Sequence, residues 1–163
     1  MNPMLQRLAA DGPHPGHAKE LLLYGRFAGV WRVDHRFLED GNWHEDTREW
    51  TFGWVLGGRA VQDVLMPSGV PDPQDRSGTT VRVYDPVLGA WRINWFGPSA
   101  GNYCTLIGRA AGDEIHQEGA DADGTPLRWN FSDITDVSFT WRGWFRALDG
   151  EWVLEQVMKA RRV

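Results

Sequence analysis

The sequence predicts an all-β fold: about ten antiparallel strands wound up and down into a β-barrel, with one short N-terminal capping helix. Three observations predict it. From residue 30 onward, apolar and polar residues alternate at period two. Glycine-bearing turns break that alternation at the spacing of about 8–12 residues that marks sandwiches and barrels. One segment alone, residues 17–27, carries a helical period. Ten strands are many for a two-layer sandwich, and closing them into a ring removes exposed edges. A barrel wider than about eight strands begins to leave space inside, for large side chains or for a ligand.

Residues 1–16 contain Pro3, Gly12, Pro13, Pro15 and Gly16 and read as a flexible lead-in to a single domain over 17–163. Leu21, Leu22, Tyr24 and Phe27 then fall near helical spacing, with Lys19 and Glu20 outside, and Gly29 can end that helix. The first strand, 30–38, puts Trp31, Val33, His35 and Phe37 on one face and Arg32, Asp34 and Arg36 mostly on the other. A turn over 39–42 leads to a long strand, 43–54, and Gly57-Gly58 to a third, 59–66. The Pro-, Asp- and Gly-rich stretch 67–77 reads as a loop. A hairpin follows, 79–85 and 90–96, about a turn over 86–89. Strands over 102–110, 114–119, 126–132, 138–147 and 151–160 complete the set.

The last hairpin can be counted residue by residue. A two-residue loop at Asp149-Gly150 pairs Leu148 with Glu151. Counting back pairs Phe145 with Leu154, Gly143 with Gln156, Trp141 with Met158 and Phe139 with Ala160, an almost wholly apolar face. Trp144 with Glu155, Arg142 with Val157 and Thr140 with Lys159 make the solvated face, and a one-residue slip would bury Lys159 and Arg142. In the middle hairpin, Val81, Val83, Trp91, Ile93 and Trp95 are expected inside, and Arg82, Arg92 and Asn94 outside.

Composition narrows the function. The 163 residues fit one domain, and the formal net charge of −5 argues against a nucleic-acid partner. A single cysteine, Cys104, excludes an internal disulfide framework and a cysteine-built zinc site. There is no long apolar run for a membrane span and no basic-then-apolar start of a signal peptide, so a cytoplasmic location is expected. Ten Trp and 19 Gly, with only Lys19 and Lys159 against 15 Arg, are the unusual features.

Several short motifs carry a resemblance. His17-Ala-Lys-Glu-Leu21 followed by Phe27-Ala-Gly29-Val-Trp31 resembles the helix-then-Gly-x-Trp opening of calycin-type barrels, the lipocalins and fatty-acid-binding proteins among them. Val55-Leu-Gly-Gly-Arg59-Ala-Val61, Val83-Tyr-Asp-Pro86 and Asp149-Gly-Glu-Trp152 with Arg161-Arg162 resemble a bacterial calycin-like family of unknown function. The pieces fall in order over residues 17–162. The resemblance implies a barrel capped by one helix, a central cavity and no established reaction. No cofactor is expected.

The polar residues set among apolar ones are the candidates for chemistry. His35 shares a face with Trp31 and Val33, so its imidazole can enter the barrel as a base or an anchor, or as a bonded core histidine. Arg48 shares a face with Trp50, Phe52 and Trp54; an internal Arg needs a partner, either a ligand carboxylate or phosphate or an internal Asp such as Asp63. Gln62, Asp63 and Gln156 interrupt apolar strands and require partners if buried. His35, Asp63 and Arg48 form the one plausible catalytic set, and Arg48, Trp54, Gln62, Trp95, Trp129, Trp141, Gln156 and Met158 are the expected ligand contacts. Trp91 is a further candidate for the lining, and Trp31 is expected to plug one end.

Other features are bland. His14 and His17 lack a third metal ligand, Cys104 has no basic neighbour close by, and Asn130-Phe131-Ser132 lies inside a strand. The leading functional expectation is therefore a small apolar or aromatic ligand held in the barrel. An isomerase- or cyclase-like enzyme acting in the same cavity is the alternative. Haem binding, with His35 or His116 as the axial ligand, is the second alternative, disfavoured because no His follows His116.

Overall fold

The computed structural model describes residues 1–68, 74 and 76–163. Of the loop expected over 67–77, residues 69–73 and 75 lie outside the described residues. The chain runs α1 (Pro3–Leu8), β1 (Ala9–Ala10), α2 (Ala18–Gly25), β2 (Gly29–Glu39), β3 (Asn42–Val55), β4 (Ala60–Pro67) and β5 (Gly78–Asp85). It continues with β6 (Ala90–Gly97), β7 (Asn102–Ala111), β8 (Glu114–Asp121), β9 (Pro126–Ser132), β10 (Ser138–Arg146) and β11 (Trp152–Arg162). Strands β2 to β11 form a closed antiparallel barrel. Each pairs with its neighbours in sequence, and β11 returns to β2.

The segment 1–16, expected as a loose lead-in, carries order of its own. Asn2 caps α1 through the Met4 N–H at 2.9 Å. Ala9 and Ala10 pair with Val55 and Trp54 on β3, and the His14 N–H donates to the Gly58 carbonyl at 3.1 Å. Gly58, at φ +79, has no room for a side chain against the Gly12 carbonyl.

Helix α2 closes one end of the barrel. It ends at Gly25, four residues before Gly29, which at φ +130 starts β2 instead of capping the helix. Leu21, Tyr24 and Phe27 are buried in that end. Phe27 lies 5.0 Å from Phe131 and 4.8 Å from Phe139, centroid to centroid, and its carbonyl accepts from the Trp31 indole at 2.7 Å. Tyr24 packs edge-on against Trp91 and donates to Gln117 at 2.9 Å. Its hydroxyl occupies the space a Cβ on Gly108 would fill. Gly108→Ala is therefore expected to lower stability by about 1–3 kcal/mol through overpacking. The urea midpoint should fall, and a midpoint equal to wild type would show that Tyr24 does not need that seat.

The middle hairpin departs from expectation. Asp85 pairs with Ala90 across a four-residue turn, which puts Tyr84 opposite Trp91, Arg82 opposite Ile93 and Thr80 opposite Trp95. Trp91 and Ile93 are buried with Arg82 and Thr80, whereas Val81 and Val83 are only half-buried, opposite Asn94 and Arg92. Arg82 belongs inside and the two valines outside, because paired residues share a face and the turn length fixes the pairs.

In the last hairpin Trp141 faces Met158 and Gly143 faces Gln156 as counted. Trp141 and Met158 are both buried. Near the turn the register differs: Phe145 pairs with Val153 and Trp144 with Leu154. The loop holds three residues, with Ala147 bonded to Glu151 at 2.8 Å and Gly150 at φ +89. A bulge at Glu155 then restores the count.

Candidate functional site

Opposite α2, a cavity of about 560 Å³ opens between the strand ends. Trp50, Leu65, Trp95, Trp129, Trp141 and Met158 line it, so its walls are largely aromatic. The Trp129 and Trp141 rings lie 5.5 Å apart at 60°. The buried indole N–H groups of Trp50 and Trp129 have no hydrogen-bond partner.

A charged network forms the floor. Arg82, 2% exposed, donates to Asp63, which is fully buried and also accepts the Thr80 N–H at 3.1 Å. The Arg82 Nε reaches Gln117 at 3.4 Å, and its guanidinium lies 5.2–5.7 Å from the rings of Tyr24, Phe52 and Phe131. Arg82 also lines the cavity. A buried Arg is tolerated here because a carboxylate neutralises it and three aromatic faces surround it.

A polar shelf stands above the floor. His35 is 6% exposed; its Nδ1 lies 2.9 Å from Asp46 and its Nε2 3.0 Å from Gln156. Its ring stacks on Phe37 at 4.9 Å. Arg48 grips the same carboxylate, with Nη2 3.2 Å from Asp46, and donates Nη1 to the Arg76 carbonyl at 2.8 Å. His35, Asp46, Arg48 and Gln156 all border the cavity. Such a shelf can orient a polar group of a ligand. A carboxylate-held imidazole can also exchange a proton with it.

Glu155 faces the cavity because of the bulge. Two residues there, Glu155 and Gln156, oppose one on β10, so both line the cavity. Glu155 makes no hydrogen bond or ion pair among the described residues. Burial, and then the Asp121 carboxylate, raise its pKa above the ordinary glutamate range. The same two carboxylates, after burial itself, push the Cys104 thiol up to about 12. Cys104 is therefore a thiol at neutral pH, in keeping with an inert role.

Of the sequence-chosen residues, the structure brings His35, Arg48, Trp95, Trp129, Trp141, Gln156 and Met158 together around one cavity. Three lie elsewhere. Asp63 sits behind the floor as the partner of Arg82. Gln62 lies on the outer face of β4, bonded to Thr79 at 3.0 Å, because the inward positions of that strand are Val61, Asp63 and Leu65. Trp54 packs on Gly25 of α2 at the closed end. Trp91 also belongs to the closed end, against Tyr24. Arg82 and Glu155 were not expected in the lining: the first reads as an outward charge, and the second depends on a bulge that period two does not show.

The remaining histidines stand apart. His116, on the outer face of β8, bonds Glu114 at 2.8 Å. His14 accepts the Gly16 N–H, and His17 rests against Tyr84. Among the described residues, no three of His, Cys, Asp or Glu are grouped to hold a metal ion. No described helix is long and apolar enough to cross a membrane.

No protein-family model matches the chain, and no curated protein matches it in sequence. Solved structures do. Rv2717c from M. tuberculosis superposes with a TM-score of 0.67 at 17% identity, over 90% of this chain and 98% of that one. A phycobiliprotein lyase, CPES from Guillardia theta, gives 0.49 at 10% identity, over 86% and 90%. A redesigned β-barrel gives 0.43 at 11%, over 85% and 92%. The first likeness is one of fold alone.

Proposed function

We propose that the protein is a calycin-like barrel that binds a small aromatic or apolar ligand with a polar end in its open cavity. The single observation that carries this reading is the cavity itself: about 560 Å³, walled by tryptophan and methionine, with a few convergent polar groups. The unpartnered indole N–H groups of Trp50 and Trp129 support it, since native interiors leave few buried donors unpaired. Titration with naphthol, flavonoid and fatty-acid probes, read by tryptophan fluorescence, tests it. Saturable one-to-one quenching with a Kd on the order of 1 μM, about −8 kcal/mol, is expected for the best probe. Absence of saturation with every probe, together with an unchanged melting temperature, would overturn it.

The Asp46-held His35 favours a second reading, an enzyme that moves a proton on such a ligand. His35 would exchange the proton, and Asp46 would hold the ring. Haem ligation draws no support: both ring nitrogens of His35 are engaged, and His116 is on the outside.

A further inference from the structure

The Glu155 side chain is the one acid in the cavity lining whose position is made by an irregularity of the backbone. Without the bulge between Gly143 and Trp144, period two would alternate it outward beside Val153 and Val157. The irregularity instead sets it among the lining residues next to Gln156, which touches His35. Acidic groups stand near it. Asp121, at the end of β8, acts on it, and Cys104 of β7, across the barrel, senses both carboxylates. Glu39 of β2 borders the same cavity.

Among the described residues three cations border the cavity, Arg48, Arg76 and Arg82, and none of them makes an ion pair with Glu155. Arg48 is bound to Asp46 and the Arg76 carbonyl, and Arg82 to Asp63. No Lys or Arg is paired with Glu155 among the described residues. A half-buried carboxyl without a partner opposes folding, and a cation supplied from outside the chain would relieve that cost.

We propose that Glu155 pairs with a cationic nitrogen of the bound ligand, so that the ligand class is an aromatic or apolar amine with its ammonium group at the cavity mouth. This rests on the cavity-binding reading above. Aromatic faces along the walls suit both the ring and the cation. The chain's net charge of −5 also favours the approach of a cation over that of an anion.

The sign of the pH dependence follows. Glu155 keeps its proton to higher pH than an ordinary glutamate, and only its ionised form pairs with an ammonium. Affinity for a cation therefore rises with pH as Glu155 ionises. The same shift works against folding: stability is greatest below the ordinary glutamate pKa and falls as pH rises through the higher folded value.

The experiment is calorimetric titration of the whole chain with 2-(aminomethyl)naphthalene, an ammonium at these pH values, and with its neutral counterpart 2-(hydroxymethyl)naphthalene. The wild type should prefer the ammonium about tenfold at pH 8, as a partly buried charge pair allows, and lose most of that preference at pH 4, below even the ordinary glutamate value. In Glu155→Gln the preference should fall to about one at both pH values, and the decline in melting temperature with rising pH should flatten. Equal binding of both probes by the wild type, or a preference kept in Glu155→Gln, would overturn the amine assignment while leaving the cavity reading intact. If neither probe binds, the cavity reading fails and the assignment fails with it.

Discussion

Arg82→Met should destabilise the protein by about 3–5 kcal/mol, because it leaves a buried charge without its counter-ion. Asp63 has no exposed surface, and its remaining bond is to the Thr80 N–H. Met fills much of the Arg volume, so the loss is electrostatic more than steric. Gln117 keeps its bond from Tyr24 and loses only the long contact from Arg82. The double variant Arg82→Met/Asp63→Asn removes both charges, and Asn can still accept the Thr80 N–H. It should recover more than half of the loss, since replacing a buried pair by neutral groups is often close to neutral. Urea unfolding of the two single variants and the double closes the cycle. A single variant that loses under about 1 kcal/mol would show that water reaches Asp63 and that the floor is not sealed.

Trp141→Ala should cost about 3 kcal/mol, at the low end for truncating a buried Trp. Trp141 is 4% exposed and faces Met158, but part of its surroundings is cavity that already exists. The same variant should weaken aromatic probe binding about tenfold or more, because it removes a wall. Phe139→Ala is the comparison. Phe139 is 2% exposed at the closed end, among Phe27, Trp31 and Phe131, and does not line the cavity. Its loss should be about 4–5 kcal/mol, with probe affinity preserved. Equal effects of the two variants on binding would mean that Trp141 acts through the fold alone.

Much of the fold was legible because strands and turns alternate in a regular way. In β2, Trp31, Val33 and His35 do face inward, as period two requires. The capping helix and the ten strands follow from the same patterning. The last hairpin was counted with a two-residue loop and no bulge. The protein uses a three-residue loop and a bulge, and the two differences cancel beyond Gly143. Trp141 and Met158 therefore face each other as expected, while Glu155, at the point of cancellation, was expected opposite Trp144 on the solvated face and lines the cavity instead.

The site was less legible because its polar residues are satisfied by partners distant in sequence. Arg82 reads as solvated until Asp63 is known to lie beside it on the next strand. The turn over 86–89 did contain the correction: closing it at Asp85 and Ala90 places Arg82 and Tyr84 on the Ile93 and Trp91 face. Arg48 was expected near a ligand or an internal acid, and its acid stands two residues away along its own strand. Gln62 and Asp63 look equivalent as polar interruptions, yet adjacent strand residues face opposite ways, and only Asp63 points inward.

The seam between β2 and β11 has a consequence for how the chain reaches its fold. Nine of the ten interfaces between barrel strands join sequence neighbours and can form as hairpins; only β2–β11 does not. Across it, Arg161 meets Asp34 at 3.1 Å from 127 positions away. Next along the chain, Arg162 donates to the carbonyls of Ala28, Arg26 and Asp136 and lies 4.2 Å from the Trp31 ring. During synthesis, β2 must therefore wait with one hydrogen-bonding edge bare until β11 emerges. Over that interval the nascent sheet is open to pairing with another chain. Closing so long a loop adds only slowly growing entropy, so the delay is set by translation more than by the search.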